Sequence, residues 1–493
     1  MRVTRQKNRS DSRRRSVPAG ILLLALSVLL SGCAVDRLKE LDVVYDLLQL
    51  DQQDAAQSMF ETIDDPASQG VVYDDATAAG VGEETQDNGA VWNTDTAGVP
   101  EQTGTSASVQ EEDILSGMEQ MEPVSGKRSR EEIEREDEEN RQALGLTDAR
   151  IAELMRENEG NYYFRHLDDA GKRLYAEVYH IIKERGEKIR ISSLDDDKVD
   201  QAFQYVMADH PEIFYADGYT YTRYTIDDEL FKLGFTARYV YDQAETDRRA
   251  AAIEKVVDRI VAGAPKSTDQ YDLAKYVYDY ILAHTEYEIG ADDNQNICSV
   301  FLSGKSVCQG YAKATQLLLN RLGVETTLVT GTVSAGDRMN SRHAWNLANV
   351  NGRNYYLDTT WGDSSFQQAA AEETLLQRTN YDYLLDTTAD LADTHVLDDL
   401  VEMPVCKNLE DNYYVRDGAY FTGVDEEQLR ALFDKGYREK RSYVTVKCAD
   451  ETAYRSLTDH LVTKRKLFDY LKNPGDSASF ASSDTQRTMT FSL

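Results

Sequence analysis

Three short stretches of this chain carry the residue types of a thiol relay. They are Ser306-Val307-Cys308-Gln309-Gly310-Tyr311-Ala312, His343-Ala344-Trp345-Asn346 and Tyr355-Tyr356-Leu357-Asp358-Thr359-Thr360-Trp361. A nucleophile, a base and an acid follow one another in that order. A thiol, an imidazole and a carboxylate held in a hydrogen-bonded chain perform acyl transfer without a cofactor.

The surrounding pattern says how these groups would be positioned. Tyr311, Ala314, Leu318 and Leu322 fall on one helical face, and Gly323 ends the run. Cys308 is thereby predicted at a helix N-terminus, where unpaired N–H groups and the helix dipole favour a thiolate. Leu347–Val350 and Arg353–Leu357 flank Asn351-Gly352, the strongest short signal for a β-hairpin. With that turn, Val350 faces Arg353, Trp345 faces Asp358 and His343 faces Thr360. His343 and Asp358 then become diagonal neighbours on one face, with backbones roughly 7–8 Å apart. A slip of one residue would put them on opposite faces.

At these residues the chain resembles the transglutaminase-like superfamily, which shares its catalytic arrangement with papain-like proteases. The Cys-x-Gly-Tyr-Ala, His-Ala-Trp-Asn and Asp-Thr-Thr-Trp settings carry the likeness, from about Asp272 to Asp363. Bacterial secreted or lipid-anchored members, which also have an Asp-Asn-Gln-Asn segment such as Asp293–Asn296, are the most similar. The resemblance implies an α+β fold with a helix bearing the Cys packed on an antiparallel sheet bearing the His and Asp. It also implies Cys308 as nucleophile, His343 as general base and acid, and Asp358 as the residue orienting the imidazole. Asp363 is a weaker substitute for Asp358.

Other residues near the motifs are weighed against ordinary structural roles. Trp345 and Trp361 are candidates for walls of the cleft or for core. The Cys308 backbone N–H is the first candidate oxyanion donor; Gln295, with Asn296 and Tyr287 behind it, is the side-chain candidate. Cys298 reads as a buried packing residue and His395 as structural. Cys406 and Cys448 could pair in an oxidising exterior. No Cys-x-x-Cys or His-Glu-x-x-His points to a metal, and no Walker loop or Gly-x-Ser-x-Gly elbow is present. No metal and no cofactor are expected.

The N-terminus suggests a compartment. Arg2–Arg15 is basic, Ile21–Leu30 is apolar but short for a membrane span, and Leu30-Ser31-Gly32-Cys33 has the form of a lipobox. The expectation is a lipoprotein signal over 1–32, lipid on Cys33, and anchorage to the extracytoplasmic face of the cell membrane. The formal net charge is −33; residues 1–32 carry seven basic groups and one acidic, or +6, so the remainder is near −39. Such a chain repels phosphate-rich partners, and no nucleic-acid role is expected.

The expected division is an acidic disordered tether over 33–143, an N-terminal α/β domain over 144–262, a catalytic domain over 263–400 and a small C-terminal α/β domain over 401–493. Between Lys39 and Lys127 there is no basic residue, and large apolar residues are sparse after Phe60. Helices are predicted over Leu167–Arg185, Lys198–Asp209, Glu245–Val261, Thr268–His284, Glu426–Phe433 and Thr452–Leu471. Strands are predicted over Phe231–Tyr239, Asn412–Val415, Ala419–Phe421, Ser442–Lys447 and Arg487–Leu493. The functional expectation is thioester-forming acyl transfer on protein or peptide amides, leaning to hydrolysis. The alternatives are glutamine transamidation, or a surface module that binds in the cleft without turnover.

Overall fold

The structure, a computed structural model, describes residues 120–123, 129–226, 229–335, 338–363, 379–472 and 478–493. The expected signal segment, Cys33 and most of the acidic stretch lie outside the described residues.

Ordered structure begins ahead of Leu144, which corrects the expected tether boundary. Gln120–Pro123 pairs in parallel with Ala216–Ile226. Helix Arg130–Ala143 starts at a capping box between Ser129 and Glu132. Three of its residues, Ile133, Asp137 and Arg141, spaced by four, face inward. Asp137 pairs with the buried Lys232 and Arg141 with the buried Glu177 at 2.9 Å. Charge content alone hid this, because both inward-facing charges find their partners far away in sequence.

The next segment follows expectation. Asp168 and Asp195 cap helices Asp169–Glu184 and Asp196–Asp209. Strand Glu229–Tyr239 pairs antiparallel with Ala216–Ile226 in a four-stranded sheet. One hydrophobic core runs from Leu146 through Val206, Phe235, Val257 and Tyr278 to Leu318 and Leu385. The expected boundary at 262/263 falls in the last turn of helix Gln243–Gly263, before helix Gln270–His284, but the apolar packing is continuous across it.

The elements that carry the motifs are helix Cys308–Arg321 and a five-stranded antiparallel sheet. Spatially the sheet runs Leu384–Asp386, Arg353–Leu357, Arg338–Val350, Thr326–Ala335, His395–Leu397. Asn351 and Gly352 have φ of 53° and 79°, the two left-handed residues of a tight hairpin turn. The pairing is Val350 with Arg353 through Asn346 with Leu357, the register expected from the sequence.

The C-terminal part has its own core, including Phe421, Leu432, Val446, Leu457 and Phe491. Its four strands are ordered Tyr420–Phe421, Tyr443–Cys448, Thr488–Ser492, Phe480–Ser483. Two expectations fail here. Asn412–Val415 is not a strand: the Asn412 side chain accepts the Tyr414 N–H and starts helix Tyr413–Asp417. The helix expected over Thr452–Leu471 stops at Thr458 and continues as a π turn and a separate 3₁₀ turn. Cys406 and Cys448 are not paired; Cys406 packs beside Trp345 while Cys448 belongs to the C-terminal core. Among the described residues no helix is long and apolar enough to cross a membrane.

Candidate active site

Cys308 is the first residue of its helix. Val307, at the cap position, has no side-chain acceptor and makes no cap hydrogen bond, so the first-turn N–H groups keep their donor capacity. The helix mouth is fixed by the loop before it. The Asn294 carbonyl accepts the Val307 N–H at 3.3 Å and the Ser306 hydroxyl at 3.0 Å. Gly310 allows this close approach: a β-carbon there would lie 2.0 Å from Ser306 Oγ and 2.8 Å from Ser299 Oγ. The glycine of the Cys-x-Gly motif is thus a packing requirement of the thiol's position.

Side-chain contacts tie the thiol helix to the sheet and to the segment after Asp358. Asn346 donates from Nδ2 to the Ala312 carbonyl at 3.0 Å and to the Thr327 carbonyl at 3.3 Å. The Thr315 and Thr359 hydroxyls meet at 3.0 Å. The Tyr311 hydroxyl donates to the Asp363 carboxylate. Asp363 therefore locks the helix to the segment after Asp358 and takes no place in the relay.

Asp358 follows the last residue of strand Arg353–Leu357 and caps the short helix Thr359–Gly362. Its two oxygens divide the work. Oδ1 accepts the backbone N–H groups of Thr360 at 2.8 Å and Trp361 at 3.0 Å. Oδ2 lies 2.6 Å from Nε2 of His343 and 3.1 Å from Nε2 of His395. The cap and the relay coexist in one carboxylate. With Nε2 of His343 engaged, Nδ1 is the nitrogen left for the Cys308 sulfur, with which the ring also interacts.

The electrostatics follow from burial and pairing. Burial alone would depress the His343 imidazolium, but the charges of Asp358 and Cys308 outweigh it and raise the group to about 10. Asp358 is pulled the other way. Burial would raise it, but the adjacent imidazoles hold it well below the ordinary carboxylate range. His395 is lowered, because burial outweighs its bond to Asp358. A neutral His395 donates from Nε2 to Asp358 and leaves Nδ1 to accept the Thr394 hydroxyl at 2.8 Å. Cys298 and Cys406 are pushed by burial up to about 11, and Cys448 to about 12.

His395 is the site residue that sequence reasoning assigned to structure. It sits on the edge strand His395–Leu397, paired with Thr326–Ala335, and nothing near it in sequence marks the contact. His343, Asp358 and His395 offer ligand atoms within 4.8 Å of one another, a grouping that could hold a transition metal. A metal there would occupy the nitrogen and oxygen atoms that the relay uses.

Of the two readings for the tryptophans, cleft wall or core, both take the core position. Trp345 is fully buried and stacks on His343 at 5.8 Å between ring centroids, packed against Val329, Leu347 and Tyr356. It backs the imidazole from inside because His343 and Trp345 project from the same face of one strand. Trp361 is also buried, 6.1 Å from His343 and 4.9 Å from His395. Of the oxyanion candidates, Asn296 spends its side-chain oxygen on the Cys298 N–H at 2.8 Å. Tyr287 packs beside Trp361 and Tyr383. Gln295 lines a cavity of about 250 Å³ together with Gln309, the residue after the thiol. Cys308 and His343 are only 3% and 6% exposed.

A thiol on a helix mouth, facing an antiparallel sheet with an aligned imidazole and acid, defines the transglutaminase-like and papain-like class of core. Residues 254–359 match the model of the transglutaminase-like superfamily. Among solved structures the chain is similar to a TGase, at 14% identity and TM-score 0.22 over 33% of this chain and 47% of that one. It is similar to a candidate cysteine protease from Cytophaga hutchinsonii, at 16% identity and TM-score 0.20 over 28% of this chain and 55% of that one. A candidate protease from Parabacteroides distasonis is similar at 16% identity and TM-score 0.17, over 27% of this chain and 30% of that one. The chain spans 55% or less of each of these proteins. No curated protein matches it.

Proposed function

We propose that this protein is a cysteine enzyme that transfers acyl groups from protein or peptide amides through a thioester on Cys308. The observation carrying this reading is the continuous relay from Cys308 through His343 to Asp358. Cys308 sulfur adds to the amide carbonyl, and the oxyanion takes hydrogen bonds from the open N–H groups of the helix mouth. His343 gives its proton to the leaving nitrogen, the C–N bond breaks and the thioester remains. His343 then takes a proton from the incoming nucleophile, and the thioester opens. Asp358 holds the ring in the tautomer that allows both transfers.

Water as the second nucleophile gives hydrolysis, the outcome we favour; a primary amine gives cross-linking. The proposal includes export and lipid attachment at Cys33, supported by the basic, apolar and Leu30-Ser31-Gly32-Cys33 runs of the sequence. Incubating the full chain with a glutamine-containing peptide, with and without a primary amine, tests it by mass spectrometry. Cleaved or deamidated peptide supports hydrolysis, and an amine adduct supports transamidation. Neither product, from a panel of peptides, together with a Cys308 that alkylates no faster than Cys298, would leave a binding module without turnover.

A further inference from the structure

The thiol helix buries a second polar group that the relay does not use. Lys313 stands five residues after Cys308, about 7.5 Å further along the axis at 1.5 Å per residue. It is 5% exposed and lines the 250 Å³ cavity with Gln309, one helical turn earlier on the same side. Among the described residues no carboxylate or other acceptor pairs with it, and burial alone lowers it to about 8. Lysines are almost never buried without a partner.

Two acids, Asp217 and Asp293, also line the cavity, and each is paired with an arginine. Asp293 is held by Arg249 at 2.7 Å and by the Tyr241 hydroxyl, and Asp217 by Arg238 at 2.7 Å. The rest of the lining includes the apolar Phe203, Met207, Ile213 and Phe214 and the amides Gln204 and Gln295. A chamber with a greasy wall, amide donors and one uncompensated cation suits a group that is itself part apolar and singly negative. The Asn294 segment of the lining also holds the backbone of Val307, so the chamber adjoins the helix mouth.

We infer that this cavity is a substrate subsite in which Lys313 binds a carboxylate of the acyl donor, either a peptide α-carboxylate or an acidic side chain. This rests on the proposed reaction at Cys308 and names the substrate class for it. The selectivity would come from desolvation: a neutral group entering the chamber leaves the ammonium unpaired, whereas a carboxylate satisfies it.

The test uses thiol-directed probes on the full chain, with the modified cysteine located by peptide mapping. The probes are iodoacetamide, N-iodoacetyl-leucine, its carboxamide, and N-iodoacetyl-glutamic acid α-amide. The expected result is that one acid probe alkylates Cys308 about tenfold or more faster than the leucine carboxamide, the factor set by a charge-assisted hydrogen bond. Preference for N-iodoacetyl-leucine assigns an α-carboxylate, and preference for the glutamic acid probe assigns an acidic side chain. Lys313→Met should bring the acid-to-amide ratio to about one, and Lys313→Arg should retain a preference. Equal rates for acid and amide probes in the wild-type chain, with Cys308 still outpacing Cys298 toward iodoacetamide, would overturn the subsite and leave the reaction intact. An acid preference that persists unchanged in Lys313→Met would also overturn it. A Cys308 no more reactive than Cys298 would instead bring down the reaction itself.

Discussion

Replacing Asp358 by Asn isolates the charge of the relay from its shape. Oδ1 accepts two backbone N–H groups and Oδ2 faces two imidazole nitrogens. In the variant the amide oxygen is held by Thr360 and Trp361, so the NH₂ group must face the imidazoles. Nε2 of His343 then has to accept, its proton moves to Nδ1, and the nitrogen beside the sulfur can no longer take a proton. The imidazolium also loses the larger of the two charges that raise it from 6.5 to about 10. At about 1.4 kcal/mol per pH unit that whole gap is on the order of 5 kcal/mol. With both losses, turnover should fall by about 10⁴-fold, the scale known for the same change in a serine triad. The assay is peptide turnover together with the pH profile of iodoacetamide reaction at Cys308, with folding checked by circular dichroism. The wild-type profile should carry a transition near pH 10 from His343, which moves below neutrality in Asp358→Asn. A folded variant with an unchanged profile and turnover within threefold of wild type would refute the relay.

Four further outcomes follow from the same geometry. Cys308→Ala should abolish turnover with the melting temperature unchanged within a few degrees; residual turnover above background would remove the nucleophile assignment. His395→Phe takes one donor from Asp358 and should slow turnover about tenfold, from a charge-assisted bond of about 1.5 kcal/mol. His395→Gln, which keeps an N–H, should recover most of the loss; equal defects in both variants would argue for packing alone. Gly310→Ala would drive a methyl to 2.0 Å from Ser306 Oγ, so destabilisation of about 3 kcal/mol is expected in chemical denaturation. A wild-type midpoint would contradict the packing described. His343, raised in the fold, contributes stability that is fully present below about pH 6.5 and lost as pH climbs through about 10; Asp358, depressed, contributes above about pH 3.8 and loses it on acidification. The difference in melting temperature between wild type and Asp358→Asn should therefore be widest between those two values and shrink toward pH 10. A difference independent of pH would speak against the ion pair.

The thiol helix and the hairpin were legible because their signals are local. Cys308 at a helix start follows from the apolar spacing of the next fourteen residues, and the His343–Asp358 register from Asn351-Gly352 and the period of a strand. The C-terminal misreadings were local contests too. Asn412 captures a backbone N–H and turns a β-rich stretch into a helix, and the amphipathic run after Glu451 breaks at Thr458.

What the linear chain determined by itself was the identity and order of thiol, imidazole and acid, and the turn that puts the last two on one face. Tertiary structure alone decided that His395 shares the Asp358 oxygen, that both tryptophans back the relay from inside, and that Lys313 is buried at a cavity with no carboxylate paired to it. The reason is the range of the interactions. Helix starts and hairpin registers are set by neighbours a few residues apart, whereas His395 reaches Asp358 across 37 residues. The surroundings of Lys313 likewise come from segments as distant as Phe203 and Gln295, which meet the thiol helix only when the core closes.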